Sequence, residues 1–449
     1  MATKLCRIAE KARTEPDLQF VNLFHLLKAE LLRECFTRLR GDAASGIDAV
    51  TKEAYARNLE EHLTELVDRL HRMGYRPQPV RRVYIPKPGT DKKRPLGIPV
   101  LEDKLVQAAM VRILEQIYEQ DFIEDSYGFR PGRNCHEALR ALSCTVERGN
   151  VAWIVEADIK GFFDHVNHDH LMEFLRRRVG DPRMWRMVKR FLIAGVMEEG
   201  EVHASDEGTP QGGVISPLLA NIYLHYVLDQ WFERKFRPTC EGQARLIRYA
   251  DDFVVCFSYQ SEAEDFQRQL VARLAQYGLE VEPSKTKVIA FGPRARSNAR
   301  LYGKAKPETF DFLGFTHYCS RSRDGKRFRM KRRTSAKRFR AKLAAFQQWL
   351  RDNRAKNKTR ELWIAAGQKL AGHYQYYGVT DNSRLLKAFA HQAERCLHKW
   401  LNRRGGRKKM SWEKFHKMAA KLPLPKPRIH VSMFQTRPNR PQQLLLPLT

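Results

Sequence analysis

The sequence contains no Cys-X-X-Cys pair. Its eight cysteines, Cys6, Cys35, Cys135, Cys144, Cys240, Cys256, Cys319 and Cys396, are scattered along 449 residues. That spacing argues against a zinc site and against a secreted disulfide framework. No apolar run comes near the roughly 20 residues that span a bilayer. The N-terminus lacks an apolar signal core, because Glu10, Glu15 and Asp17 interrupt it. A reducing, cytoplasmic setting with no membrane partner is the expectation. There is no internal repeat. Acids almost vanish from the last stretch: from residue 321 onward, 34 Lys and Arg face 6 Asp and Glu, a net +28. The whole chain carries +30, so the first 320 residues hold only +2. A balanced body therefore precedes a basic tail. Its natural partner is a polyanion, since Lys and Arg displace condensed counterions from phosphates. The length suits two or three domains and a sizeable core.

Periodicity predicts helices over Phe20 to Arg40, Glu53 to Met73, Glu102 to Gln120, from about Cys135, over Glu262 to Tyr277, from Thr334, and over Asn382 to Leu401. Ser216-Pro217 opens another that runs to about Phe236, with Ser as N-cap and Pro in the first turn. Val80 to Pro99 reads as a basic hairpin edged by prolines, which suit edge strands. Val151 to Asp158 is a buried strand ending on an acid, and Val288 to Phe291 is another. A short strand pair begins at Phe312-Leu-Gly-Phe315. Arg403 to Lys409 is a basic linker, and the proline-rich end from Leu422 to Thr449 is expected to be irregular.

The chemistry centres on Arg245-Leu-Ile-Arg-Tyr-Ala-Asp-Asp-Phe-Val-Val-Cys-Phe257. Apolar runs flank Tyr249-Ala250-Asp251-Asp252, so the pattern predicts two strands joined by a tight turn bearing two carboxylates. Like charges at a turn call for a cation, and hard divalent ions take carboxylate oxygens. A plain solvated Asp-Asp turn is the alternative. Asp158, at its strand end, supplies a third carboxylate if a sheet sets it beside Asp251; otherwise it caps its strand. Strand-borne acids of this kind can hold two ions that stabilise the attacking and leaving oxygens of a phosphoryl displacement. Phe163 either packs on a sugar and excludes a 2′-hydroxyl or is a core aromatic. Gln211, in Gly208-Thr-Pro-Gln-Gly-Gly213, can approach a nucleotide closely because its neighbours lack bulk, or belongs to a plain helix entry. Lys87 and Arg94 face a triphosphate across the hairpin or decorate a solvated edge. In the basic tail, Trp349, Trp363, Tyr374, Tyr376, Trp400 and Trp412 could stack on unpaired bases or fill helix cores.

Asp158, Phe163, Gln211, Tyr249-Ala-Asp-Asp252, Lys285 and Phe312-Leu-Gly-Phe315 together resemble the ordered motifs of reverse transcriptases over about 300 residues. More narrowly, the chain resembles group II intron-encoded reverse transcriptase/maturases. Ile85-Pro-Lys-Pro-Gly89, Arg94-Pro-Leu-Gly-Ile-Pro99, Tyr127-Gly-Phe-Arg-Pro-Gly132, Gly208 to Pro217 and Tyr377-Gly-Val carry that match. The resemblance implies an α+β fold. It would be a right-hand polymerase whose fingers and palm hold antiparallel sheet flanked by helices, followed by an all-α basic thumb or maturase domain. The implied parts are an N-terminal helical segment (1–44), fingers with an N-terminal extension (45–150) and a palm (151–320, with a fingers return around 180–215). A thumb (321–380) and a basic nucleic-acid-binding region (381–449) follow.

The resemblance also implies roles. Asp158, Asp251 and Asp252 bind two Mg²⁺ ions, with Mn²⁺ as a substitute. Phe163 is the sugar gate, Gln211 contacts the incoming nucleotide, Lys87 and Arg94 grip its phosphates, and Lys285 assists the leaving pyrophosphate. Tyr249 and Gly314 lie near primer and template, and Ser45-Gly-Ile-Asp48 lies on the template. Implied partners are structured intron RNA, an RNA template with a DNA primer, and deoxynucleoside triphosphates; a homodimer stays open, and association with the nucleoid in a bacterial cytoplasm is expected. The expected activity is RNA-directed DNA synthesis joined to intron splicing and mobility by target-primed reverse transcription. Longer family members end in a zinc-stabilised His-Asn-His nuclease, whose cysteine pairs are missing here, so no second-strand cleavage is expected. No RNase H carboxylate set is apparent. Two other readings remain open: a maturase acting only by RNA binding, and a free-standing relative in phage defence or DNA repair.

Overall fold

A computed structural model describes residues 2–86, 93–198, 201–203, 207–209, 212–301, 303, 305–404 and 410–434. In chain order its elements are α1 (Ala2–Thr14), α2 (Ala29–Arg38), α3 (Lys52–Ala56), α4 (Leu59–His71), β1 (Val80–Pro86), β2 (Lys93–Ile98), α5 (Leu101–Asp121), α6 (Cys135–Arg148) and β3 (Trp153–Asp158). Next come α7 (His168–Arg176), α8 (Pro182–Leu192), β4 (Val196–Glu198), β5 (Glu201–His203), α9 (Ser216–Leu224), β6 (Ala244–Tyr249), β7 (Asp252–Phe257), α10 (Gln260–Ala275) and β8 (Lys287–Ala290). The chain continues through α11 (Ala295–Leu301), β9 (Phe310–Phe312), β10 (Phe315–Arg321), β11 (Phe328–Thr334), α12 (Ala336–Asn353), α13 (Thr359–Tyr377), α14 (Ser383–Asn402) and α15 (Trp412–Lys421). The fold is α+β. Among the described residues no helix is long and apolar enough to cross a membrane.

The central sheet has the order β6-β7-β3-β8 and is antiparallel throughout. Phe253, Val254, Val255, Cys256 and Phe257 are all fully buried. A strand covered on both faces needs such a continuous apolar run, and each large side chain removed from water contributes about 1.5–3 kcal/mol. Helix α10 packs on β3 and β7, and its Phe266 meets Phe232, Phe236 and Phe257 with ring centroids 5.2–5.8 Å apart. On the other face, α6 and Ile154, Ile247 and Val254 join a second core that continues into α12, α13 and α14.

A second sheet, β2-β1-β4-β5, contains the expected hairpin. Of the hairpin's two strands, only β2 lies at an edge of the sheet. β1 pairs in parallel with β4 on its far side, so the expectation of two edge strands is corrected. The third sheet, β11-β10-β9, starts at the Phe312-Leu-Gly-Phe315 hairpin, where Leu313 and Gly314 both take positive φ (49° and 78°). That suits a two-residue hairpin turn.

Three helices differ from their sequence patterns. Over Phe20 to Arg40 only Ala29–Arg38 is α-helical, after a 3-10 turn at Phe24–Leu26. The amides that a helix would use are taken by distant partners. Phe20 N donates to the Arg178 carbonyl (2.8 Å), and Leu23 N and Phe24 N donate to Asp181 Oδ2 (2.8 and 2.7 Å). Glu53 to Met73 divides into α3 and α4 at Arg57-Asn58. The helix from Ser216 passes into π-helical turns at His225–Asp229 and Phe232–Phe236. The proline-rich end is irregular in backbone but packed up to Phe434. Val431 bridges Val379, and Met433 is buried.

Candidate active site

The Asp-Asp hairpin forms as the alternation of residues predicts, but its two acids have different settings. Asp252 is the first residue of β7 and pairs with Tyr249 of β6, so Ala250 and Asp251 alone make the turn. Ala250 has φ +58°, a left-handed conformation that few non-glycine residues take. Across β3, Asp158 lies directly opposite Asp252. Opposed residues of an antiparallel pair share a face with Cβ atoms about 4.5–5.5 Å apart, and like charges there repel. Glu156, two residues back on β3, shares that face and pairs with Lys287. The sequence reading missed it, although its alternation with Asp158 would have revealed it.

The electrostatics record the crowding. Burial, then Asp251 and Asp158, push Asp252 up to about 7. Burial, then Asp158, raises Asp251, while the Arg94 charge opposes that rise. Burial pushes Glu156 up to about 7, opposed by a hydrogen bond from the Asp311 backbone. Carboxylates crowded together out of water favour a neighbouring positive charge. One is supplied from within the chain. The Lys285 ammonium sits on Asp158 Oδ2, and that hydrogen bond raises the lysine pKa. Among the described residues no three such ligands are already drawn into a closed ion cage. All three donors are nonetheless hard oxygens on one end of one sheet, which fits a hard divalent ion.

The other expected residues are placed as follows. Phe163 is half-buried against the first core, edge-on to Phe162 at 5.3 Å. Its carbonyl accepts from Thr209 N (2.8 Å), and a Cβ on Gly208 would lie 2.8 Å from that oxygen. The Gly208 loop is thus laid along the Phe163 backbone. Gln211 and Lys87 lie outside the described residues. Arg94 is exposed on β2, opposite Ile85. Tyr249 is half-buried and its pKa is raised by burial. Gly314 shares its hairpin turn with Leu313, whose backbone hydrogen-bonds the Asp252 carboxylate. That turn is fixed by Tyr376 Oη donating to the Leu313 carbonyl (3.0 Å). Ser45 and Ala44 offer carbonyls to Arg81 Nη2 (2.8 Å) and Lys104 Nζ (2.6 Å), and Gly46 meets the Val100 backbone where a Cβ would clash at 2.5 Å.

In the basic tail, Trp363, Trp400 and Tyr374 are buried, so the core role applies to them. Trp412 is 44% exposed, and Trp349 and Tyr376 are half-buried. Cations still collect there: Arg354, Lys399 and Arg403 lie 4.8–5.7 Å from the Trp400 ring.

Residues 85–317 match the family model described as reverse transcriptase (RNA-dependent DNA polymerase). The chain belongs to the reverse transcriptase family. The match spans half the chain and contains all three aspartates. Among curated relatives, 223 residues are 41% identical to the group II intron-encoded protein LtrA of Lactococcus lactis subsp. cremoris, covering 49% of this chain and 36% of that protein. Another 40% identity over 253 residues is to the protein YkfC of Escherichia coli strain K12, covering 54% and 64%. The mitochondrial nuclear intron maturase 2 of Arabidopsis thaliana is 30% identical over 185 residues, covering 31% of this chain and 24% of that protein. The chain spans about one third to two thirds of the length of the first two. These likenesses bear out the resemblance to group II intron-encoded reverse transcriptase/maturases.

Proposed function

We propose that the chain is an RNA-directed DNA polymerase of the group II intron type that also binds structured intron RNA and supports its splicing and mobility. The observation that carries this reading is the register of Asp158 against Asp252, with Asp251 in the adjoining turn. Asp158, Asp251 and Asp252 would hold two Mg²⁺ ions. When bound, such a pair stabilises the attacking and leaving oxygens of an in-line displacement. The chain's own residues do the remaining work. Lys285, already on Asp158, is placed to move onto the pyrophosphate that leaves. Arg94, whose charge reaches Asp251, receives the incoming triphosphate from the hairpin side together with Lys87 and Gln211. Phe163 would act as the sugar gate, its ring excluding a 2′-hydroxyl. Tyr249 and the Leu313-Gly314 turn flank the aspartates and support primer and template.

On this reading, fingers run from the Ser45 loop through the β1–β2 sheet, the palm is the β6-β7-β3-β8 sheet, and the thumb is built from α12 to α14. The net charge of +28 after residue 320 supports contact with a polyanion. The test is extension of a DNA primer on an RNA template with deoxynucleotides and Mg²⁺. Template-length DNA is expected; no extension under conditions where the folded chain binds the template overturns the reading.

A further inference from the structure

Arg248 is one of the largest fully buried side chains in the molecule. It follows two apolar residues of β6 and precedes Tyr249, one residue from the turn it supports. Its guanidinium meets both oxygens of Asp229: Nε donates to Oδ1 (2.7 Å) and Nη2 to Oδ2 (2.5 Å). Asp229 is itself fully buried and ends the π-helical turn His225–Asp229. The third nitrogen, Nη1, donates to Asn221 Oδ1 (2.9 Å) and to the Ala250 carbonyl (3.0 Å). A planar fork fixed on one carboxylate holds its remaining N–H groups in set directions. Here they are aimed at the residue with the left-handed backbone between Tyr249 and Asp251.

The turn is gripped from its other side as well. A Cβ on Gly128 would lie 2.2 Å from Ala250 N, so only glycine lets that loop approach. Asn221 Nδ2 donates to the Gly128 carbonyl (2.7 Å), which ties this outer contact to the same asparagine that Arg248 holds. Tyr127 N donates to the Arg248 carbonyl and Arg248 N to the Asp125 carbonyl (both 2.9 Å), so the loop is tied to β6 by a single parallel bridge between Ser126 and Arg248. The Tyr127-Gly-Phe-Arg-Pro-Gly segment thereby gains a structural purpose.

We propose that Arg248, clamped by Asp229 and Asn221, is the positioning residue that holds the Ala250-Asp251 turn in the shape that brings Asp251 beside Asp158 and Asp252 for divalent-ion binding. This rests on reading those aspartates as the ion-binding set. Arg248 touches no substrate and acts through the Ala250 carbonyl.

The test uses the full chain and Mn²⁺ as the probe, read by electron paramagnetic resonance. Removing Arg248 alone would strand Asp229 in the core, so the main variant is Arg248→Met with Asp229→Leu, which leaves no unpaired buried charge. It is expected to fold, by its circular dichroism melt, yet to bind Mn²⁺ about tenfold or more weakly, as loss of an outer support does at metal sites. Asn221→Ala keeps the ion pair and unties it from Gly128; it should weaken Mn²⁺ binding in the same direction and serves if the double variant does not fold. Wild-type Mn²⁺ affinity in either folded variant, with binding lost in Asp251→Ala, overturns the inference and leaves the aspartate reading intact. A wild-type chain that binds no Mn²⁺ overturns both.

Discussion

Asp158 at the end of β3 stands directly opposite Asp252 at the start of β7. The two acids are 94 positions apart in sequence, and the strand register alone makes them neighbours. An apolar pair at that position would be the stabilising choice, so the arrangement sacrifices stability at the end of the sheet. The same crowding makes the site measurable.

Asp252 gives a pH signature. Its folded value, about 7, exceeds its usual 3.8 because of burial and then Asp251. A carboxyl with a raised folded value binds its proton more tightly in the folded chain. Without metal, its contribution to stability therefore falls as pH rises from the usual carboxylate range to about 7, and stays flat above. Asp252→Asn should raise the melting temperature in EDTA at pH 8 by roughly 2 °C or more, and the gain should vanish near pH 4. Calorimetry at both pH values checks this.

Phe163 should set sugar selectivity. Its half-buried ring is held edge-on to Phe162, and its backbone is locked by Thr209. Phe163→Ala is expected to cut the preference for deoxy- over ribonucleotides by on the order of 10²-fold, the scale on which pocket shape discriminates a hydroxyl. Single-nucleotide incorporation with dATP and ATP measures it; unchanged selectivity removes Phe163 from the role.

The tail should dominate affinity for RNA. Most of the formal charge lies after residue 320. Binding of a structured RNA should weaken with salt along a log–log slope of roughly −0.7 to −0.9 per phosphate neutralised. Filter binding over a salt series reads the slope, and a flat response contradicts the polyanion argument.

The segment after Lys421 should be needed for stability. Trp363 Nε1 donates to the Leu422 carbonyl (2.8 Å), His430 N and Val431 N donate to the Gly378 carbonyl, and Met433 is buried. Ending the chain at residue 421 leaves the buried indole N–H without its partner, a loss of about 1–3 kcal/mol, and opens the core around Met433. A thermal midpoint lower than that of the full chain is expected, and an unchanged midpoint contradicts the packing role of this segment.

The sequence made the central sheet legible because β7 is a continuous apolar run after Asp252 and β3 an apolar run broken only by Glu156 before Asp158, which is how a buried strand reaching a polar site reads. It could not show that Asp251 belongs to the turn and Asp252 to the strand, since that depends on a one-residue choice of register. Phe20 to Leu27 carries a helical stripe, yet its amides are claimed by Arg178 and Asp181, more than 150 positions away. Arg248 reads locally as a charge in a strand; only its burial on Asp229 reveals a purpose. The tail aromatics divided by burial, which composition cannot specify. In each case the missing information lay in a long-range partner.

The most direct test of the central claim compares DNA synthesis on an RNA template by the wild-type chain and by Asp251→Ala at equal RNA occupancy. The account predicts Mg²⁺-dependent extension by the first, none by the second, and unchanged RNA affinity for both. Extension by Asp251→Ala at the wild-type rate would contradict it.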